Sequence, residues 1–253
     1  MTIGPGRTLL PDPVRSGRAG EGSLMGEMRN LGCALAACVA AAVGIGVYGP
    51  WWKDEPKPLM GELPERLDTQ TMAVVVGDPS ARTTVTVFED PRCVMTREFE
   101  TSGSGAHLVE LARQRKISVE YRFATFIDGK QGGSGSKRAV AALGAALDAG
   151  KFTELHGLLY TNQPSTEAVD GFTDDKLLSI ASKIPGLRGT TFDQAVRKAG
   201  DNDFVTEADE AHARAGSPAT PTILVNGQPL PVAMADAIYD KDDFAGIMRS
   251  YVG

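Results

Sequence analysis

From residue 71 onward, apolar positions either alternate with polar ones or recur every three or four residues. Met72–Val76 and the β-branched run Thr83–Phe88 (TTVTVF) predict strands around a GDPSA turn at 77–81. A loop, Glu89–Cys93, leads into a helix that begins near Cys93. It breaks at the glycines of TSGSG (101–105) and resumes over Ala106–Arg115. Ile117–Phe126 predicts a second long strand, and the strand–helix–strand order predicts parallel pairing with a right-handed crossover. A glycine-rich loop, Gly129–Gly135, then opens a helical stretch. Its helices are Lys137–Ala149, Phe152–Tyr160, Asp174–Lys183, Thr191–Lys198 and Asp203–Ala215. Thr222–Val225 is a short strand, Asn226-Gly227 a type I′ turn, Pro229–Val232 a return strand and Asp242–Tyr251 a closing helix. The pattern predicts an α/β fold: a small mixed sheet carrying helices, with a helical block at about 134–200 inserted between its halves.

The first 70 residues read differently. Residues 1–30 are mostly Gly, Pro, Arg and Ser with no apolar period, the pattern of a tail. Leu31–Trp52 carries no charge and is long enough to span a bilayer. Arg7, Arg15, Arg18 and Arg29 precede it, Trp51 and Trp52 close it, and Lys53, Asp54 and Glu55 follow. The positive-inside rule places the tail in the cytoplasm and the body outside, a single-pass cell-membrane protein. A cleaved signal peptide fits less well, because the apolar run continues past Ala34-Leu35-Ala36. Leu35-Ala36-Ala37-Cys38 offers a lipoprotein alternative, with Cys38 as the lipidated residue. Residues 53–70 are charged and Pro-rich, a stalk. The folded domain is expected at 71–253.

The net charge of −6 and the absence of a basic face argue against nucleic acid as a partner. Three cysteines (Cys33, Cys38, Cys93) are too few for a disulfide framework or a cysteine zinc site, and only Cys93 lies in the body. His107, His156 and His212 lack HxxxH or HExxH spacing, so no metal is expected. The GKQGGSG run lacks the order of a phosphate loop, and Gly103-Ser104-Gly105 is an incomplete nucleophile elbow. Asp174-Asp175 and Asp240–Asp243 read as acidic first turns of helices.

The chemistry concentrates at two places. Cys93 sits where a strand passes through a loop into a helix, so it faces the unsatisfied amides and positive end of that helix, which favour thiolate over thiol. Arg92 and Arg97 add positive potential. An inert, buried cysteine is the plainer alternative. Further on, Ser217-Pro218-Ala219-Thr220-Pro221-Thr222 runs into a strand, and a cis Thr220-Pro221 bond would leave the Thr220 backbone free for a ligand, against the trans default.

Together these stretches resemble the DsbA-like thioredoxin-fold family. Gly77, Ala81, the following strand, Phe88, Asp90, Cys93, Phe99 and Glu100 match its opening, and the SPATPTILVNG run matches its cis-proline loop, strand and hairpin. The resemblance covers about 71–253 and implies a thioredoxin-like fold with an inserted helical subdomain. It implies no cofactor. The motif is altered, since Cys93-Val94-Met95-Thr96 stands where the family carries C-x-x-C. Without a second thiol the intramolecular dithiol cycle cannot run. The resemblance then implies thiol–disulfide exchange by Cys93 alone, with Thr96 donating its hydroxyl to the thiolate from the next turn. Pro221 would be the cis-proline facing Cys93, while Thr220, Val94 and Met95 would contact an extended substrate segment. Asp90 is either a near-site acid or a loop cap. The partners implied are thiols, disulfides or extended peptides of secreted or membrane proteins. Two alternatives stay open: a redox-inactive peptide-binding or chaperone module, and a sensor in which Cys93 becomes a sulfenic acid.

Overall fold

The computed structural model describes residues 61–216 and 219–252. The predicted tail, the predicted span at 31–52 and Cys38 lie outside these. Among the described residues no helix is long and apolar enough to cross a membrane.

Six strands form one mixed sheet. They are β1 (Glu65–Asp68), β2 (Ala73–Gly77), β3 (Thr83–Glu89), β4 (Ile117–Phe123), β5 (Thr222–Val225) and β6 (Gln228–Pro229), in the spatial order β1-β2-β4-β3-β5-β6. β3 and β4 are parallel and every other pair is antiparallel. The crossover between β3 and β4 carries α1 (Val94–Thr101) and α2 (Ser104–Arg113), broken at Gly103, which has φ 104°. The hairpin turn has φ 51° at Asn226 and 76° at Gly227, the left-handed pair that a type I′ turn requires.

Five helices follow β4: α3 (Phe126–Gln131), α4 (Gly135–Asp148), α5 (Phe152–Thr161), α6 (Asp174–Ala181) and α7 (Thr190–Arg197). A sixth, α8 (Asp203–Arg214), precedes β5, and α9 (Lys241–Val252) closes the chain. The helical stretch thus runs from Phe126 to Arg214, longer than 134–200. Residues 129–131, expected in a loop, finish α3.

The sheet also begins earlier than expected. Glu65–Asp68, assigned to the stalk, pair with Ala73–Val76 as an edge strand. The ERLD sequence has no alternation because an edge strand here is only half-buried.

Val85 and Val87 point into the main core, which they share with Phe99 of α1, Leu108 of α2 and Phe244 of α9. Phe99 and Phe244 meet edge to face at 5.5 Å. Phe88, of opposite parity, meets His212 of α8 at 5.2 Å, so α8 covers the other face of the sheet. The end of β3 and the start of α1 are therefore gripped from both sides, which fixes the loop between them.

Candidate active site around Cys93

Cys93 is the N-cap of α1, with extended backbone dihedrals (φ −67°, ψ 122°), and its side chain makes no capping bond. The first helical turn contains no acidic residue. The sulfur instead meets the chain from the far side of the fold: Sγ donates to the Thr220 carbonyl at 3.1 Å. The Thr220-Pro221 bond is cis. The structure thus brings Cys93, Thr220 and Pro221 together, 127 residues apart in sequence.

Cys93 is buried at 5% exposure, whereas Met95 beside it is 41% exposed. Val94 is half-buried. Its N–H is taken by Glu167 Oε1 at 3.1 Å, so a carboxylate from the helical insertion caps the helix that its own N-cap residue does not. Thr96 is fully buried, and its Oγ1 makes no hydrogen bond. The expected bond from Thr96 to Cys93 is therefore not formed.

Asp90 is a loop cap. It accepts from the Arg92 N–H at 2.9 Å, the Ile127 N–H at 2.9 Å and the Ser136 hydroxyl at 2.6 Å. Burial pushes its carboxyl up to about 6, against the lowering effect of these bonds. Arg92 does not lend free positive potential either. It is 2% exposed and spans Asp128 Oδ1 at 2.7 Å, the Gly132 carbonyl at 2.7 Å and the Glu167 carbonyl at 2.6 Å.

Behind the site lies a group that spacing along the chain does not reveal. His156 Nε2 lies 2.8 Å from Glu89 Oε2, and Tyr160 donates to the same oxygen at 3.1 Å. Glu100 Oε2 lies 3.8 Å from His156 Nδ1. Its carboxyl occupies the space over Gly105, where a Cβ would come within 2.1 Å. Glu89, Glu100 and His156 each offer one ligand atom, all within 4.8 Å, and are the residues here that could hold a metal. His156 turns its two nitrogens to different carboxyls, however, which is the arrangement of a proton-sharing set. Burial pushes Glu89 up to about 8 and Glu100 well above its usual range, and pushes His156 down.

These shifts make folding depend on pH. The folded protein keeps a proton on Glu89 that the unfolded chain releases above about 4.5. That contribution to stability is complete below about pH 4.5 and is lost as pH rises through about 8. Asp90 acts in the same sense between 3.8 and about 6. The melting temperature is expected to fall by roughly 5 °C between pH 5 and pH 8. Glu89→Gln, which needs no proton, should flatten that slope. Scanning calorimetry of both proteins across this range checks it, and an unchanged slope would move the titration to another group.

The fold and this junction now stand beside known proteins. A family model described as thioredoxin matches residues 69–239, more than half of the chain. The chain belongs to the thioredoxin family. Among solved thioredoxin-like structures it is similar to BdbD from Bacillus subtilis, at 20% identity over 78% of this chain and 98% of that one, with a TM-score of 0.59. It is also similar to the MdbA thiol-disulfide oxidoreductase of Corynebacterium matruchotii, at 20% identity over 69% of this chain and 89% of that one, TM-score 0.54. DsbA from Mycobacterium tuberculosis matches at 20% identity over 75% of this chain and 99% of that one, TM-score 0.53. No curated protein matches the sequence. These neighbours are DsbA-like thiol–disulfide oxidoreductases, so this thioredoxin-family chain has the expected DsbA-like fold.

The sequence points to Arg92 and Glu100 but not to the part that Glu89, His156, Asp128 and Glu167 play in shaping the site. The one local signal for them was Glu100, seven residues and so two turns after Cys93, on the same face of the helix.

Proposed function

We propose that the protein catalyses thiol–disulfide exchange outside the cytoplasm through Cys93 alone, tethered to the membrane by residues 31–52. The observation that carries this is Cys93 at the N-terminus of α1, with its sulfur 3.1 Å from the carbonyl that precedes cis-Pro221. The Cys93 thiolate attacks one sulfur of a substrate disulfide. A mixed disulfide forms and the other substrate sulfur leaves as thiolate. A second thiolate of the same substrate then attacks the mixed disulfide and releases Cys93. The cycle isomerises without net oxidation, so it needs no electron acceptor. Run as a reductase, it takes its electrons from a small thiol such as glutathione. Exposed Met95 and Val169 offer apolar surface to an unfolded client.

A second reading keeps the peptide site and drops the chemistry. It is favoured by the low exposure of Cys93 and by its S–H being already satisfied by Thr220.

The test uses the full chain. Trypsin cuts after Arg92 and Arg97, so Cys93 is read on its own peptide, apart from Cys33 and Cys38. Exchange predicts a mixed disulfide between that peptide and scrambled ribonuclease, with recovery of ribonuclease activity. Cys93→Ser should reduce recovery to the uncatalysed rate. A peptide that forms no mixed disulfide would transfer the assignment to peptide binding.

A further inference from the structure

Glu167 is bonded to both neighbours of Cys93. Its side chain accepts the Val94 N–H at 3.1 Å, and its main-chain carbonyl accepts Arg92 Nη2 at 2.6 Å. The residue lies in the irregular stretch 162–173 between α5 and α6, where Ser165, Thr166, Ala168 and Val169 are exposed and Glu167 is half-buried. The stretch is anchored a second time by Asp170, which bonds the Ser134 N–H at 3.2 Å and Arg138 at 2.7 Å. Glu167 is thus presented to α1 by a double anchorage.

Consider what that carboxylate does to the thiol. The first amides of a helix are the donors that stabilise an anion at its N-terminus. Glu167 takes the first of them and sets a negative charge one residue from the sulfur. Both effects oppose a second anion at Cys93. The other groups facing Cys93 are few. Arg92 is engaged by Asp128, by two carbonyls and, at 3.8 Å, by Asp170. Asp90 is tied to Ser136, Ile127 and Arg92, and Tyr239 faces the thiol from the turn before α9, near Glu98 and Asp236. Arg97 lies one turn along α1. The Thr220 carbonyl accepts from the sulfur at 3.1 Å.

We propose that Glu167 is a positioning residue that occupies the amide beside Cys93 and slows its attack, and that a bound client relieves this by displacing Glu167 from the Val94 amide. The inference rests on the reading of Cys93 as the reacting group.

Glu167→Gln tests it, because glutamine keeps an acceptor for the Val94 N–H and removes only the charge. The full-length variant should label at Cys93 about fivefold faster than the parent at pH 7. The ratio of the two rates should shrink toward one as salt rises to about 0.5 M. Glu167→Ala should also label faster. An unchanged rate in Glu167→Gln, with measurable labelling in the parent, would overturn the role of Glu167 and leave exchange by Cys93 intact. A rise in Glu167→Ala alone would trace to loop opening and would also overturn it. A Cys93 that labels in none of the three proteins would overturn the exchange reading itself. Thermal melts of all three proteins keep loss of folding from passing as any of these results.

Discussion

Thr96→Cys should convert the protein into a dithiol oxidase. Positions 93 and 96 are one turn apart at the start of α1, so their Cα atoms fall at about 5 Å, inside the window a disulfide accepts. Thr96 is fully buried with an unpartnered hydroxyl. The substitution removes the unpartnered buried hydroxyl but also the γ-methyl, so the two effects oppose and the reduced variant should stay within about 1 kcal/mol of the parent. With glutathione disulfide as oxidant, the variant should close a 93–96 disulfide. It would then pass that disulfide to a reduced client, taking up two electrons while the client dithiol becomes a disulfide. Mass spectrometry of the 93–97 peptide and reoxidation of reduced ribonuclease measure the two steps. The parent should show no 93–96 loss of two hydrogens. If the variant closes the disulfide but oxidises nothing, the groove around Thr220 and Pro221 does not receive extended clients.

Arg92→Met should cost about 3 kcal/mol, because it leaves the Asp128 carboxylate at 7% exposure without its cation. That corresponds to a drop of roughly 10 °C in melting temperature for a domain of this size. The loss would not stop at Asp128. Arg92 also holds the Gly132 and Glu167 carbonyls, so the loop before α4 and the stretch beneath Glu167 would loosen with it. Adding Asp128→Leu should recover part of the stability, because the pair is then replaced by apolar groups. The Ser136 and Lys137 N–H groups that Asp128 also accepts would limit the recovery. Calorimetry of the single and double variants decides this. A double variant no more stable than Arg92→Met would mean that the loop contacts, and not the buried charge, dominate.

The parts of the fold that could be read in advance are those where neighbours in sequence decide the structure. TTVTVF declares a strand through its β-branched residues, Asn226-Gly227 declares its turn, and the helix starting at Cys93 follows a proline and an arginine in a tight loop. The Cys93 and SPATP stretches pointed to each other only through resemblance, since nothing local joins residues 127 apart. Glu167 lies 73 residues beyond the amide it caps, and His156 lies 67 beyond Glu89. Asp90 looked the same as an acid at the site and as a cap, and only its three donors distinguish the two. Thr96 was read with the right spacing but the wrong direction, because spacing along a helix does not say which way a hydroxyl turns.

The manner in which the chain enters the fold carries a mechanical consequence. Any pull exerted through the residues before Gly61 arrives at β1, an edge strand that would ordinarily peel from β2 one hydrogen bond after another. The first residue loaded, Glu65, is fastened elsewhere: its carboxylate accepts the Phe152 and Thr153 N–H groups at the start of α5. Arg113 holds the Gly61 carbonyl, and the Gly77 N–H holds that of Pro64. Traction would therefore be shared with α5 and α2 before the first rung of β1 opens, and the Cys93 junction, which follows β3 three strands further in, would be shielded from it.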